Sequence, residues 1–313
     1  MPPALEFEGI TKEYRSWSGR RRVRALQQFS LSVESGEIFG FLGPNGAGKS
    51  TAIHLAMGFM QPSSGTGRML GKPFGQVATR RRVGFLAENV ALYHRKAEAA
   101  IRFYGGLNGL HGAALDHATR AALEAVDLQS EAGRNLGQFS RGMLQRMGLA
   151  QALVNNPDLL ILDEPTSALD PAARVSIREL LLRSRSQGKT VFLSSHLLSE
   201  VELVCDRVAI LSRGHLVHTG TLSDMLETSD RVEIVAQSIS DAPFANATMD
   251  DGRLRFAVPK REQRAAIERV WAAGGEVVSV NPVRRSLEEL FLELTNPASG
   301  ATKASQPRDG KIA

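Results

Sequence analysis

Apolar residues cluster in four short runs along the first two-thirds of the chain, at residues 37–42, 159–162, 190–194 and 207–211. Each is too short for an ordinary helix and reads as a strand, the first of them as a buried one. A fifth run, 29–33, alternates apolar and polar residues like a half-buried strand, and residues 5–14 read as a strand with a turn. Between the later runs, residues 172–185 and 197–204 carry apolar side chains at three- and four-residue spacing, the period of a helix packed on one side. Alternation of strand and helix predicts an α/β fold with a mainly parallel sheet.

Two stretches depart from that rhythm. From about residue 93 to 128 the chain becomes alanine-rich with helical spacing, most clearly over 95–103 and 115–126, which predicts a helical insert. After residues 228–230, strands at 231–236, 253–258 and 276–280 and helices at 261–273 and 287–295 would build a small α+β domain. Residues 296–313 combine Pro, Gly, Ser and Lys with almost no large apolar side chain and read as a disordered tail. The expected division is 1–225, with the helical part at about 90–150, then 229–295, then the tail.

Composition narrows the setting without choosing a function. The 313 residues are 42% hydrophobic and 23% charged, enough for a packed core. The single cysteine, Cys205, rules out an intrachain disulfide and fits a reducing compartment; its apolar surroundings read as a small buried hydrophobe more readily than as a reactive thiol. No signal peptide and no span-length apolar run is seen. A net charge of +5 favours an anionic neighbour: nucleotide, nucleic acid or an acidic membrane surface. The basic run over residues 19–24 reads as a solvated turn, with a membrane- or nucleic-acid-contacting patch as the alternative.

One motif carries chemistry outright. Gly43, Pro44, Asn45, Gly46, Ala47, Gly48, Lys49 and Ser50, followed by Thr51, fit G-x-x-x-x-G-K-[ST] between an apolar strand and a helix expected to run from residues 48–50 to about Phe59. Glycines let the backbone curl so that successive N–H groups face a phosphate, and the helix adds its positive end. Lys49 would reach the β- and γ-phosphates and the Ser50 hydroxyl would bind Mg²⁺. The strand at 159–162 ends in Asp163 and Glu164: the first would hold Mg²⁺ through water or Ser50, the second would polarise an attacking water.

With these residues the chain resembles the ATP-binding cassette (ABC) ATPases. Phe139-Ser140-Arg141-Gly142-Met143, followed by Gln145-Arg146, is similar to the family signature LSGGQ-x-QR; Ser140 and Gly142 match, while Phe139, Arg141 and Met143 depart from it. Ser167-Ala168-Leu169-Asp170 resembles the D-loop, which links two sites across a dimer, and His196 matches the switch histidine that contacts the γ-phosphate. Tyr14 matches the aromatic that stacks on adenine, with Trp17 as its rival. Glu88 stands where the family's Q-loop usually carries Gln, and Asn89 is the neighbouring candidate; a carboxylate there could still accept Mg²⁺ or orient water. The resemblance runs from Leu5 to about Thr221 and implies a P-loop NTPase fold with an antiparallel β edge and a helical subdomain. The remaining domain, with its closing residues 286–294, is similar to the C-terminal extension of ATPase subunits from drug-, sodium- and polysaccharide-export systems.

The resemblance further implies ATP and Mg²⁺ as cofactors and a head-to-tail homodimer, or a dimer with a paralogous ATPase subunit, with ATP sandwiched between subunits. It also implies separate integral membrane permease subunits, and hence a place at the cytoplasmic face of the cell membrane. An ABC ATPase acting on DNA or ribosomes is the competing class. Sustained heptads, zinc-binding cysteines and a second phosphate loop would mark it, and none is found here, so no nucleic-acid partner is expected.

Overall fold

The computed structural model describes residues 2–15, 22–92, 96–167, 169–226, 228–238, 244, 247–284 and 286–295, and the account below concerns these. They form two compact units, the first running to Leu222 and resuming at Glu293, the second spanning Ser223–Leu292.

The first unit opens with β1 (Leu5–Arg15), β2 (Arg22–Val33) and β3 (Ile38–Leu42), followed by α1 (Lys49–Ala56). Next come β4 (Ser64–Met69), β5 (Lys72–Pro73), α2 (Val77–Arg80) and β6 (Val83–Leu86). Three helices follow, α3 (Ala97–Leu107), α4 (Gly112–Ala125) and α5 (Arg141–Leu153). The unit closes with β7 (Leu159–Asp163), α6 (Pro171–Ser186), β8 (Thr190–Ser195), α7 (Leu198–Val204), β9 (Arg207–Ser212) and β10 (His215–Thr221).

Its main sheet has the order β10-β9-β3-β8-β7-β6, parallel except for β10 at one edge. Every residue of β3, β7 and β8 is buried, which explains why apolar residues dominate these strands. Phe41 of β3 and Phe192 of β8 meet with ring centroids 5.3 Å apart, both without exposed surface, and burial of each such side chain contributes about 1.5–3 kcal/mol. A second sheet, β2-β1-β4-β5, is antiparallel throughout. Strand β3 has β9 on one side and β8 on the other, so the order reverses there and opens a crevice beyond its carboxyl end.

Several elements differ from the sequence expectation. The helix expected to reach Phe59 stops at Ala56, because Gly58 turns left-handed at φ +71°. Strand β2 begins at Arg22 and pairs with β1 as far out as Arg15↔Arg22, well before the alternating stretch that marks its second half. Strand β4, Ser-Gly-Thr-Gly-Arg-Met, has the composition of a turn and exists through its pairing with β1. Of the basic run 19–24, residues 19–21 lie outside the described residues, as do Trp17, Ala168 and the tail 296–313. Cys205 is buried, and burial pushes its thiol far above the ordinary cysteine range, in keeping with an unreactive side chain.

At the division lies α8 (Leu222–Met225), after which the second unit builds β11 (Thr228–Gln237), β12 (Thr248–Asp250), β13 (Arg253–Pro259), α9 (Gln263–Ala272) and β14 (Glu276–Arg284). The last helix is α10 (Leu287–Thr295). The sheet order is β12-β13-β11-β14, all antiparallel, and Ile234, Leu254, Phe256, Ala266 and Val270 form its core. Strand β14 extends past the expected end and includes Pro282, which an edge strand tolerates because one side of its backbone needs no partner.

Candidate active site

Strand β3 delivers the chain to residues 43–48, and α1 starts at Lys49. The loop between them leaves no room for side chains at two points. A Cβ on Gly43 would stand 2.5 Å from the Leu211 carbonyl oxygen, and Gly48, at φ +113°, would place one 2.4 Å from that of Ala25. The loop is thus wedged between β2 and the β9–β10 turn. That turn also holds it directly, since the Gly214 N–H donates to the Ala47 carbonyl at 2.9 Å and the Gln27 N–H donates to the Gly214 carbonyl at 2.9 Å. Gly48 caps α1 without a side-chain acceptor and the first turn carries no acidic residue, so the helix's positive end is kept for an external anion. Lys49 is buried, and its Nζ donates to the Gly43 carbonyl at 2.6 Å, which sets the ammonium in the mouth of the loop.

Beside this loop, β7, β8 and the residues that follow them bring four polar side chains to the carboxyl edge of the sheet. Asp163, the last residue of β7, accepts a hydrogen bond from Ser194 Oγ, and both are almost fully buried. Glu164 lies just beyond, with its backbone left-handed at φ +53°. Its carboxylate contacts His196 Nδ1 at 2.7 Å, and its backbone N–H donates to the Ser194 carbonyl at 3.1 Å. Burial pushes the Glu164 carboxyl above the ordinary glutamate range, against the opposing pull of His196 and Lys49. The structure therefore brings Lys49, Glu164 and His196 into one electrostatic cluster.

Other candidates sit around it. Tyr14 is partly exposed near the end of β1, with its hydroxyl 3.4 Å from Thr51 Oγ1 of α1, so the ring flanks the phosphate loop. Pro44, Asn45 and Gly46 form the exposed crest of that loop, and Ser50 and Thr51 follow in the first turn of α1. Glu88 is exposed in the bend after β6, at the same edge of the sheet as Asp163. Asp170 caps α6, accepting from the Ala173 N–H at 2.8 Å. Ser140 caps α5 in the same way, accepting from the Met143 N–H at 3.2 Å, and is exposed with Gly142 one residue into that helix. Among the described residues, neither Ser140 nor Gly142 bonds to the phosphate loop of its own chain.

Divalent magnesium fits the donor set. Among the described residues no group of three or more His, Cys, Asp and Glu could cage a metal, whereas Mg²⁺ takes oxygen ligands and commonly relies on one or two carboxylates plus phosphate and water. The Ser50 hydroxyl and the Asp163 carboxylate, with one oxygen already engaged by Ser194, suit that role. Ser194 itself escaped the sequence reading, although a serine inside an otherwise apolar buried strand was a visible signal. Gln145 was noticed only as part of a motif.

Comparison with known proteins agrees with this fold. A family model described as "ABC transporter" matches residues 26–167. The ABC transporter ATP-binding protein all4389 of Nostoc sp. (strain PCC 7120 / SAG 25.82 / UTEX 2576) is 37% identical over 300 residues, covering 93% of this chain and 89% of its own. The Nod factor export ATP-binding protein I of Sinorhizobium fredii (strain NBRC 101917 / NGR234) is 33% identical over 303 residues, covering 93% and 86%. Among solved structures, the dimeric post-hydrolysis state of the ATP-binding cassette MJ0796 bound to ADP and Pi matches with a TM-score of 0.65 at 24% identity, covering 70% of this chain and 98% of that one.

Proposed function

This chain belongs to the ABC transporter ATP-binding family and is an ATPase subunit, and from that premise we propose that it works as a dimer with two ATP molecules held between subunits, powering a separate export permease. The Lys49 ammonium held at the mouth of the loop 43–51, with a buried Glu164 carboxylate paired to His196 and favoured electrostatically by Lys49, is the observation that carries the reading.

In the proposed reaction, ATP lies with its adenine on Tyr14 and its phosphates against the N–H groups of residues 43–51. Lys49 neutralises charge on the β- and γ-phosphates, and Glu164 polarises the water that attacks the γ-phosphorus in line with the departing oxygen. His196, held by Glu164, contacts the γ-phosphate. Mg²⁺ would be held by Ser50 and Asp163, with Glu88 as a further oxygen donor, and would neutralise charge shared by the β- and γ-phosphates. Ser140 and Gly142 of one subunit, at the positive end of α5, would cap the γ-phosphate held by the other, and Asp170 would link the two sites. The exposed setting of Ser140, away from its own phosphate loop, supports that division of labour.

Residues 1–225 would form the ATPase domain, with the helical part and the Glu88 bend facing the permease, and 229–295 a separate small domain. No helix among the described residues is long and apolar enough to cross a membrane, so attachment at the cytoplasmic face would come from the permease. Export is favoured because a relative matching along most of its length is named for export of Nod factor.

Mixing two inactive variants tests the composite site. Lys49→Ala and Gly142→Asp should each be inactive alone, but a heterodimer of the two contains one site free of both defects. Up to about half of wild-type turnover per heterodimer should return on mixing, since one of two sites is intact. No recovery in mixtures that demonstrably form heterodimers would overturn the head-to-tail arrangement.

A pH profile tests Glu164 independently. A water-polarising glutamate must be ionised, and its carboxyl is raised above 4.5 by burial. Turnover should therefore fall with pH through an acid limb above that value, and His196→Ala should move the limb of the residual activity further up by removing a favourable partner of the carboxylate. A limb that stays in place in the variant would detach that limb from Glu164.

A further inference from the structure

Helix α5 does more than present Ser140 at its exposed end. Five residues in, Gln145 turns toward the interior and is 5% exposed. Its Nε2 donates to the backbone carbonyl of Glu164 at 3.1 Å, across 19 residues of sequence. That carbonyl also accepts from Ser167 Oγ at 3.2 Å and from the Ser167 N–H at 3.4 Å, while the Glu164 N–H is held by β8 through the Ser194 carbonyl at 3.1 Å. The peptide groups on both sides of Glu164 are thus fixed by neighbours.

This fixing has a purpose in the backbone. Glu164 sits at φ +53°, a left-handed conformation that a residue with a Cβ keeps only where the surroundings impose it. Side-chain direction follows from the backbone, so relaxation toward an ordinary φ would swing the carboxylate away from its 2.7 Å contact with His196. Of the groups that hold Glu164, Ser194 belongs to the adjacent strand and Ser167 to the loop that follows it. Gln145 alone among them comes from α5.

We infer that Gln145 is a positioning residue: its amide bond to the Glu164 carbonyl keeps the Glu164 carboxylate aimed and makes that aim depend on the position of α5. The inference rests on the reading above of Glu164 as the group that polarises water. Ser140, the cap of the same helix, lies about 7.5 Å from Gln145 along the axis and Gly142 about 4.5 Å, at about 1.5 Å per residue. Displacement of that end of α5 therefore reaches the Glu164 backbone through a single hydrogen bond, and a helix is stiff enough to carry it.

The test uses the full chain with ATP. Gln145→Met keeps the length of the side chain and removes the donor; Gln145→Asn keeps the amide but shortens its reach. A misaimed group lowers the chemical step more than binding, so kcat should fall about 10- to 100-fold while KM and the dissociation constant for ATP change less than about twofold. In a Glu164→Gln background, adding Gln145→Met should change the residual rate less than about twofold, because no carboxylate is left to aim. Wild-type kcat in either folded variant overturns the inference, as does the same proportional loss in both backgrounds. Should Gln145→Met fail to fold by circular dichroism, Gln145→Asn is judged by the same criteria. Glu164→Gln alone separates the two levels: normal hydrolysis there overturns the reading of Glu164 itself, whereas an inactive Glu164→Gln beside fully active Gln145 variants overturns the positioning role only.

Discussion

Glu164→Gln is expected to bind ATP normally, lose about 10²- to 10⁴-fold in kcat, and accumulate as an ATP-dependent dimer. The substitution preserves the volume of a buried side chain that is 7% exposed, so the fold has little reason to change. It removes the negative charge proposed to polarise water and replaces the carboxylate that contacts His196 Nδ1 with an amide. The proposed phosphate contacts come from the loop 43–51 and Lys49, which the change does not touch. Substrate is then bound and retained, and a dimer that opens on hydrolysis stays closed. Size-exclusion chromatography with and without ATP, together with phosphate release, measures both halves. Wild-type hydrolysis would remove Glu164 from the mechanism.

Lys49→Ala should fail earlier in the cycle. The ammonium is buried and set at the mouth of the loop by the Gly43 carbonyl at 2.6 Å, where little water screens its attraction for phosphate. Removing a preorganised charge of this kind costs roughly 2.7–4 kcal/mol of transition-state stabilisation, or about 10²- to 10³-fold in kcat/KM. Unlike Glu164→Gln, this variant should form little ATP-dependent dimer, because charge on the β- and γ-phosphates is no longer neutralised. Nucleotide titration and steady-state kinetics distinguish the two defects, and undiminished kcat/KM would place the site elsewhere.

Much of the candidate site is legible in the sequence. The apolar strand, glycine-rich loop and helix start at residues 38–50 are local features, and each follows from backbone sterics and burial. Asp163 and Glu164 were visible as carboxylates at the end of an apolar strand. The less legible elements are those whose reason is remote. Strand β4 has a turn's composition and forms because β1 offers it a ladder, and β12 is three exposed residues paired with β13.

The parallel α/β core, the phosphate loop and the chemical types of the groups around it follow from local stretches of chain, because strand period, glycine geometry and charge are properties of neighbouring residues. Which groups meet is set by long-range packing. Asp163 finds Ser194 and Glu164 finds His196 because β7 and β8 lie side by side, pairs separated by 31 and 32 residues of sequence. Gln145 meets the Glu164 carbonyl, and Leu211 and Ala25 close against Gly43 and Gly48, for the same reason. Such contacts depend on strand order and helix placement, which are fixed by the packing of the whole unit rather than by any local stretch of chain.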